Sequence, residues 1–412
     1  MPRSLRARAL LVLSLAQAGA MLIWYNFSAV LPLVQREWNL SGGEAGGILA
    51  AFQAGYVAAV LFTSWLADRY GGRLVFAVSA AATGVAGVGF SLLAHDYISG
   101  LVWRALAGLG QGGLYIPGII VLSRCFPGEE RGKAIGIYTC SMVGAYAASY
   151  LVTGPLAAAY SWRMALLWTS IWAFPAAILA YYGIPQAVRT AAAQPEQGVR
   201  TAAPSGIWTL ARNLPAWVII GGYMGHMWEL YAFWGWVGAY FTHVFANSGM
   251  TESQAVNAGG LLSAASILTG GVAPGLAGWI SDRAGRTVTA VVTLTVSGLC
   301  SFSFGWTAGL PPAISVTIGI IYGFFVVADS ALFKAGLTEM VPAADQGLAL
   351  GIQSVLGFGV TIISTKLLGV VLDRAGWGWA FATLGFGAVF GIACMLYLRT
   401  LPASALMAGG KK

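Results

Sequence analysis

Long apolar runs recur along almost the whole of this sequence, and they constrain its fold more than any other feature. Each run holds about twenty residues, enough for a helix rising 1.5 Å per residue to cross a hydrocarbon layer about 30 Å thick. Of the 412 residues 58% are hydrophobic, whereas soluble domains average roughly 45–50%. We therefore predict twelve transmembrane helices, at residues 9–34, 45–66, 74–94, 98–123, 133–157, 164–184, 213–242, 255–280, 287–306, 311–338, 347–370 and 378–399.

The basic residues predict the orientation of these helices. With a cytoplasmic N-terminus, sixteen of the 22 Lys and Arg residues fall in the inner segments, and only Arg36, Arg163 and Arg374 fall in the outer ones. This excess agrees with the positive-inside rule and, with an even number of spans, places both termini in the cytoplasm. The net charge of +8 is thus spread over loops, so a nucleic-acid partner is not expected.

One polar stretch divides the predicted helices into two sets of six. Residues 185–212 are rich in Ala, Pro and Gln and predict a cytoplasmic linker. We expect residues 1–184 to form an N-terminal six-helix bundle and residues 213–412 a C-terminal six-helix bundle.

Three landmarks repeat in the same order in the two halves. The matching segments are SWLADRYGGR and GLAGWISDRAGR, PGEERGKAIGIY and PAADQGLALGIQ, and GPLAAAYSWRMAL and GVVLDRAGWGWAF. An ordered internal repeat indicates a duplicated unit. Six plus six spans, with an Asp-Arg-x-Gly loop after spans 2 and 8, resemble the major facilitator superfamily of secondary transporters over essentially the whole chain.

The resemblance depends on short motifs. The family pattern Gly-x-Leu-Ala-Asp-Arg-x-Gly-Arg-Arg is similar to residues 64–73, although Ser64 and Gly72 depart from it, and to residues 278–286. The helix 4 signature Arg-x-x-x-Gly-x-Gly is similar to residues 104–110. The resemblance implies an all-α integral membrane fold of two six-helix bundles. It also implies a gating role for charged loop residues, the alternative being an ordinary solvated loop. These residues are Asp68, Arg69, Arg73, Asp282, Arg283 and Arg286.

Five ionisable residues fall inside the predicted spans: Arg104, Glu229, Asp329, Lys334 and Lys366. Each costs about 2.5–3.5 kcal/mol at membrane depth, so such groups normally face a cavity or a partner. Lys334 and Lys366 lie near helix ends, where they either snorkel to the interface or, for Lys366, offer a cation to an anion.

Arg104, Gln111 and Tyr115 are spaced to share one helical face, which predicts the lining of a wet cavity. The alternative is that Arg104 pairs within its own bundle and braces helix packing. His226 and Glu229 also share a face, and their titration suits proton coupling. A structural pair is the alternative there.

Polar and aromatic residues of helices 1 and 7 complete the predicted site. Tyr25 and Asn26 align roughly with Tyr231 and Trp234, and the resemblance implies that helices 1, 4, 7 and 10 line the central path. Asp329 belongs to helix 10. We expect substrate contacts from Tyr25, Asn26, Arg104, Gln111, Tyr115, Tyr231, Trp234 and Lys366, and proton coupling by His226, Glu229 and Asp329. For the aromatic residues, interfacial or core packing is the alternative.

Together these features predict a secondary active transporter in the cytoplasmic membrane, not an enzyme. It binds a small organic anion, such as a carboxylate, between two bundles and moves it by proton-coupled alternating access. No nucleotide-binding motif, cofactor or metal-ligand spacing is found, and we expect a monomer. A proton-antiporting exporter of hydrophobic or cationic compounds is the alternative, although only Gly154 and Pro155 survive from the antiporter signature. A non-transporting receptor or assembly factor with this fold is a second alternative.

Overall fold

The computed structural model describes residues 2–184 and 210–411, and in these ranges every regular element is helical and no strand occurs. The first range contains α1 (Arg3–Met21), α2 (Ile23–Trp38), α3 (Gly42–Tyr70), α4 (Gly72–Leu93), α5 (Tyr97–Gln111), α6 (Tyr115–Cys125), α7 (Gly128–Ala159), α8 (Trp162–Ile171) and α9 (Ala173–Gly183). The second contains α10 (Leu214–Asn247), α11 (Glu252–Thr269), α12 (Ala273–Ala284), α13 (Arg286–Phe304), α14 (Pro312–Ala328), α15 (Ser330–Met340) and α16 (Gln346–Thr400).

Ten segments of the described residues are long and apolar enough to cross a membrane. The predicted seventh span lies in α10, a 34-residue helix that is not among the ten. The predicted eleventh and twelfth spans both lie in α16, where Gly376 has φ 77° and interrupts the helical conformation. The all-helical membrane class is thus confirmed, while the count of twelve and the cytoplasmic termini remain predictions.

Several predicted spans are broken rather than continuous. Breaks occur at Leu22, at residues 112–114, at Trp172, at residues 270–272 and at Asp329. A break frees backbone groups that cannot be left unpaired in a membrane, so other side chains must satisfy them. The break at 112–114 also separates Tyr115 from Arg104 and Gln111, so the single stripe expected of a straight helix ends at Gln111.

The repeated Asp-Arg-x-Gly loops adopt the same turn in both halves. Gly71 has φ 91° and ψ 134° before α4, and Gly285 has φ 99° and ψ 145° before α13. Residues with a Cβ rarely adopt a positive φ of this kind, so glycine is required at both positions. Gly72, by contrast, lies inside α4 and packs against the Pro117 carbonyl.

The described helices form two compact units. One contains the residues up to Leu40, those from Gly47 to the end of the first described range, and Met250–Ala264. The other contains Ser41–Gly46 and the remaining residues of the second described range. Two short segments, Ser41–Gly46 and Met250–Ala264, fall in the opposite unit from the rest of their predicted bundle, and the predicted bundle bounds remain predictions. The predicted linker lies outside the described residues apart from 210–212, so its boundaries remain predictions.

Large apolar side chains lie both inside the units and on uncovered surfaces. Trp236, Tyr146 and Tyr322 are fully buried, whereas Leu61 and Phe62 of α3 are each 58% exposed. An extensive uncovered apolar surface is unfavourable in water and is expected where lipid contacts the protein. Burial therefore agrees with a membrane protein.

Candidate functional site

Arg104 lies in the first unit, where it is held by backbone rather than by an acid. Its side chain is 3% exposed, and its guanidinium donates to the carbonyls of Ile23 (3.0 Å) and Trp24 (3.2 Å). The Phe52 ring centroid lies 4.2 Å from Cζ, a distance suited to a cation–π contact. No carboxylate within the described ranges reaches this cation, so the geometry favours a role in bracing the first span.

The Asn26 side chain explains why the Ile23 carbonyl can accept a hydrogen bond from Arg104. Its Oδ1 accepts from the Phe27 N–H at 2.7 Å, a group that in a regular helix donates to the carbonyl four residues earlier, Ile23. The Asn26 amide in turn donates to the Thr169 hydroxyl at 3.0 Å. A cavity of about 10 Å³ adjoins Asn26 and Arg104, which is no larger than one water molecule. No organic solute fits there.

The break at Leu22 is satisfied from other helices. Gln111 Nε2 donates to the Ala20 carbonyl at 2.8 Å, and the Ser149 hydroxyl donates to the Leu22 carbonyl at 2.5 Å. Arg104 and Gln111 therefore do share one face, and that face contacts the broken first span. Tyr115 lies elsewhere, with its hydroxyl 2.9 Å from the Thr139 hydroxyl of α7.

Tyr25 belongs to an aromatic cluster in the first unit. Its ring packs edge-on against Tyr146, with centroids 5.2 Å apart, and stacks on Tyr150 at 5.8 Å. The neighbouring Trp24 ring contacts Phe52 at 5.0 Å. Rings in such clusters prefer these tilted and offset geometries, which contribute to packing.

The second unit contains a buried ionisable pair. His226 Nδ1 of α10 lies 2.7 Å from Asp329 Oδ1, and both side chains are about 1% exposed. His226 Nε2 lies 2.9 Å from the Ser330 hydroxyl. Asp329 stands at the break between α14 and α15, which directs its carboxylate to α10. The carboxylate beside His226 is therefore Asp329, not Glu229 of the same helix.

Glu229 lies in a separate cluster of hydroxyl groups. Its carboxylate accepts from Ser297 (3.0 Å) and Ser301 (2.5 Å), four residues apart on α13. The Ser301 hydroxyl also bonds to the Tyr322 hydroxyl of α14. Sequence reasoning missed these partners, although two serines spaced by four on one predicted helix were a usable signal.

Together these two clusters can change charge. Imidazole and carboxylate groups exchange protons in response to burial and to nearby charge, whereas the carbonyl acceptors of the first unit cannot. The second unit therefore buries imidazole and carboxylate groups together, while the predicted proton coupling stays a prediction. Among the described residues, no group of three His, Cys, Asp or Glu side chains suits a metal ion.

The remaining predicted substrate contacts also lie in the second unit. Tyr231 packs against Trp234, with centroids 5.7 Å apart, and against Phe358 at 5.0 Å. Lys366 is exposed on α16, three residues after Ile363, which is 59% exposed. An exposed apolar neighbour favours the snorkelling alternative for Lys366, and its predicted substrate contact stays a prediction.

Asp68 and Asp282, the loop acids, pair within their own units. Arg124 lies 3.2 Å from Asp68, and Arg286 lies 3.2 Å from Asp282 while making a two-pronged contact with Glu339.

The basic residues of these loops contact carbonyls and aromatic rings. Arg73 donates to the Tyr181 carbonyl at 2.8 Å, Arg283 donates to the Trp279 carbonyl at 2.9 Å, and the Arg69 guanidinium lies 5.6 Å from the Trp65 ring centroid. The predicted gating role of the loops remains a prediction.

Two curated relatives align along most of the chain. A cis,cis-muconate transport protein of Acinetobacter baylyi is 24% identical over 389 residues, which cover 92% of this chain and 89% of that protein. A putative niacin/nicotinamide transporter of Bacillus subtilis is 22% identical over 382 residues, covering 92% and 90%.

The fold is also similar to a solved structure. The crystal structure of a D-xylose–proton symporter superposes with a TM-score of 0.75 at 16% identity, covering 97% of this chain and 98% of that one. The sequence model of the Major Facilitator Superfamily matches residues 13–332 and 260–411. These matches span nearly the whole sequence and agree with the helical membrane fold, so the chain belongs to the Major Facilitator Superfamily.

Proposed function

We propose that the chain is a secondary active transporter that moves a small organic anion, such as a carboxylate, across the cytoplasmic membrane by proton-coupled alternating access. One observation carries the proposal: the second unit buries a His226–Asp329 pair in a membrane helix bundle. Ionisable groups at such depth are costly and mark ion or substrate pathways. The muconate relative, named for a dicarboxylate, supports an anionic solute.

The charge of the pair explains how protons and an anion are coupled. With neutral His226 and ionised Asp329 the pair carries one negative charge, and binding one proton makes it neutral. An anion nearby is repelled by the first state and not by the second. Proton binding and anion binding therefore favour each other, and by linkage the preference is reciprocal. This coupling gives symport.

Transport by purified protein in proteoliposomes tests the proposal. Labelled cis,cis-muconate should accumulate when the external pH is lower than the internal pH, and a protonophore should abolish the accumulation. Empty liposomes serve as the control. Binding is followed in parallel as thermal stabilisation by anions, cations and neutral solutes at two pH values. Stabilisation by lipophilic cations alone would instead support the exporter alternative.

A further inference from the structure

Lys334 differs from every other residue of its helix. All of α15 is described, and within it Lys334 is the only exposed residue, while Leu332, Phe333, Gly336 and Leu337 are buried. Its ammonium makes no hydrogen bond or ion pair with any described residue. A cation in a membrane helix is costly unless water, a partner or a ligand meets it, and in the described structure no protein group does.

The surroundings of Lys334 are not those of a lipid-facing lysine. Ser330 and Thr338 lie one turn before and one turn after it on the same face, and the adjacent positions are Ala331 and Ala335, all of them partly covered. Lys366, by comparison, follows the widely exposed Ile363. A long amine among small and polar side chains marks a recess, not a lipid surface.

The start of α16 lies against α15 on either side of Lys334. Gln346 Nε2 at the start of α16 donates to the Thr338 carbonyl at 2.9 Å, which joins the two helices there. Gln353 Nε2, two turns later on the same side of α16, donates to the Phe333 carbonyl at 3.3 Å. The two helices are therefore joined before and after Lys334.

We propose that Lys334 and Ser330 form the subsite for the anionic group of the solute, a carboxylate or a sulfonate. This inference rests on the proposed function and specifies its site. Lys334 supplies the charge, and Ser330, four residues earlier on the same face, lies within reach of the same ligand. A lysine ammonium with a hydroxyl nearby suits an oxyanion, because a charged donor strengthens each hydrogen bond.

The subsite also connects to the ionisable pair. The Ser330 hydroxyl lies 2.9 Å from His226 Nε2, and His226 Nδ1 lies 2.7 Å from Asp329. An anion that accepts the Ser330 proton requires His226 Nε2 to donate to the Ser330 oxygen. With Nε2 protonated, the contact between Nδ1 and Asp329 needs one further proton, held either by a charged imidazole beside ionised Asp329 or by a protonated Asp329 beside a neutral ring, so the pair is neutral overall. Occupancy at Lys334 thus selects the protonation state of the pair.

Binding to the purified full-length chain tests this subsite. The probes are the anions cis,cis-muconate and nicotinate, together with nicotinamide, which is the neutral amide of nicotinate. In Lys334→Gln the Kd for an anion bound by the wild type should rise at least about tenfold, since the charged donor to the anion is lost. Nicotinamide binding should change little, and Lys334→Arg should recover part of the anion affinity. Lys133→Gln, at an exposed lysine of α7 outside the candidate site, is the matched control and should bind as the wild type does.

A stability measurement separates a ligand site from a structural role. Without ligand, Lys334→Met should unfold at a higher temperature than the wild type, because it removes an unpartnered charge. Unchanged anion affinity in Lys334→Gln, or destabilisation of the Met variant, would overturn the inference. If the wild type instead binds solutes but no anion, the proposed substrate class fails before Lys334 is tested.

Discussion

The two units bury their polar side chains against different partners. In the first unit, Arg104 and Gln111 donate to backbone carbonyls of the broken first span. In the second unit, His226 meets Asp329 and Glu229 meets two serine hydroxyls. Backbone carbonyls do not titrate in the physiological range, whereas imidazoles and carboxylates do. The named polar groups of the first unit are therefore bound to backbone carbonyls, whereas those of the second unit are bound to one another and to hydroxyl groups.

A sequence repeat relates the two units, yet their buried polar groups differ in chemistry, so we expect the units to have different roles. The first unit uses a permanent cation to hold a helix break, because a guanidinium stays charged and can donate to two carbonyls at once. The second unit keeps groups that accept and release protons. Duplication of the fold does not require duplication of the chemistry.

The largest expected effect is on the stability of the first unit. Arg104→Met removes the charged donor to the Ile23 and Trp24 carbonyls; a hydrogen bond to a charged group contributes about 1.5–3 kcal/mol and an unsatisfied buried group costs about 1–3 kcal/mol, so we expect a loss of about 3 kcal/mol. Arg104→Lys should lose less, since an ammonium keeps the charge without the two-pronged geometry. Thermal unfolding in detergent measures both.

The matched comparison is Lys334→Met in the second unit, for which the opposite sign is expected. Equal destabilisation of the two methionine variants would show that both cations are structural. The contrast between the units would then be wrong.

The next effect concerns coupling in the second unit. Asp329→Asn keeps the shape of the side chain but removes its charge, so proton-driven accumulation of the solute should fall at least tenfold, equivalent to about 1.4 kcal/mol. Exchange of labelled for unlabelled solute, which needs no net proton movement, should persist. Both rates are measured in proteoliposomes at equal protein content.

Glu229→Gln tests whether the second cluster shares that role. If proton-driven accumulation survives this change, Glu229 is a structural acid held by Ser297 and Ser301. If accumulation is lost while exchange persists, both acids take part in coupling. Loss of accumulation in Glu229→Gln alone, with Asp329→Asn active, would contradict the assignment to the His226–Asp329 pair.

The smallest effect should be the same in both units. A Cβ at Gly71 would meet no atom within 4 Å, and Gly71 and Gly285 share a positive φ, so the backbone conformation is the source of strain and Gly71→Ala and Gly285→Ala should each destabilise by about 1 kcal/mol. Gly278→Ala is the control, because Gly278 is helical and also has open space around it. Clearly unequal losses at Gly71 and Gly285 would show that the repeated loops are not equivalent.

The sequence predicted the features that depend on local spacing and on composition. Apolar runs predicted helices in a membrane, and the repeated Asp-Arg-x-Gly phrase predicted equivalent loops in the two halves, where Gly71 and Gly285 both have a positive φ. Spacing by seven also placed Arg104 and Gln111 on one face. These conclusions follow from the helical period and from the conformational range of glycine, which belong to the chain itself.

Only the tertiary structure decided which groups meet. Spacing on one helix put His226 next to Glu229, but the break at Asp329 brings a carboxylate from another segment to the imidazole. The face of Arg104 was correct, yet what it contacts is the backbone of a broken helix. The helical period determines in which direction a side chain points from its own helix. Which residues it contacts depends on where the other helices bend and pack. For that reason only the structure revealed the His226–Asp329 pair and the recess at Lys334.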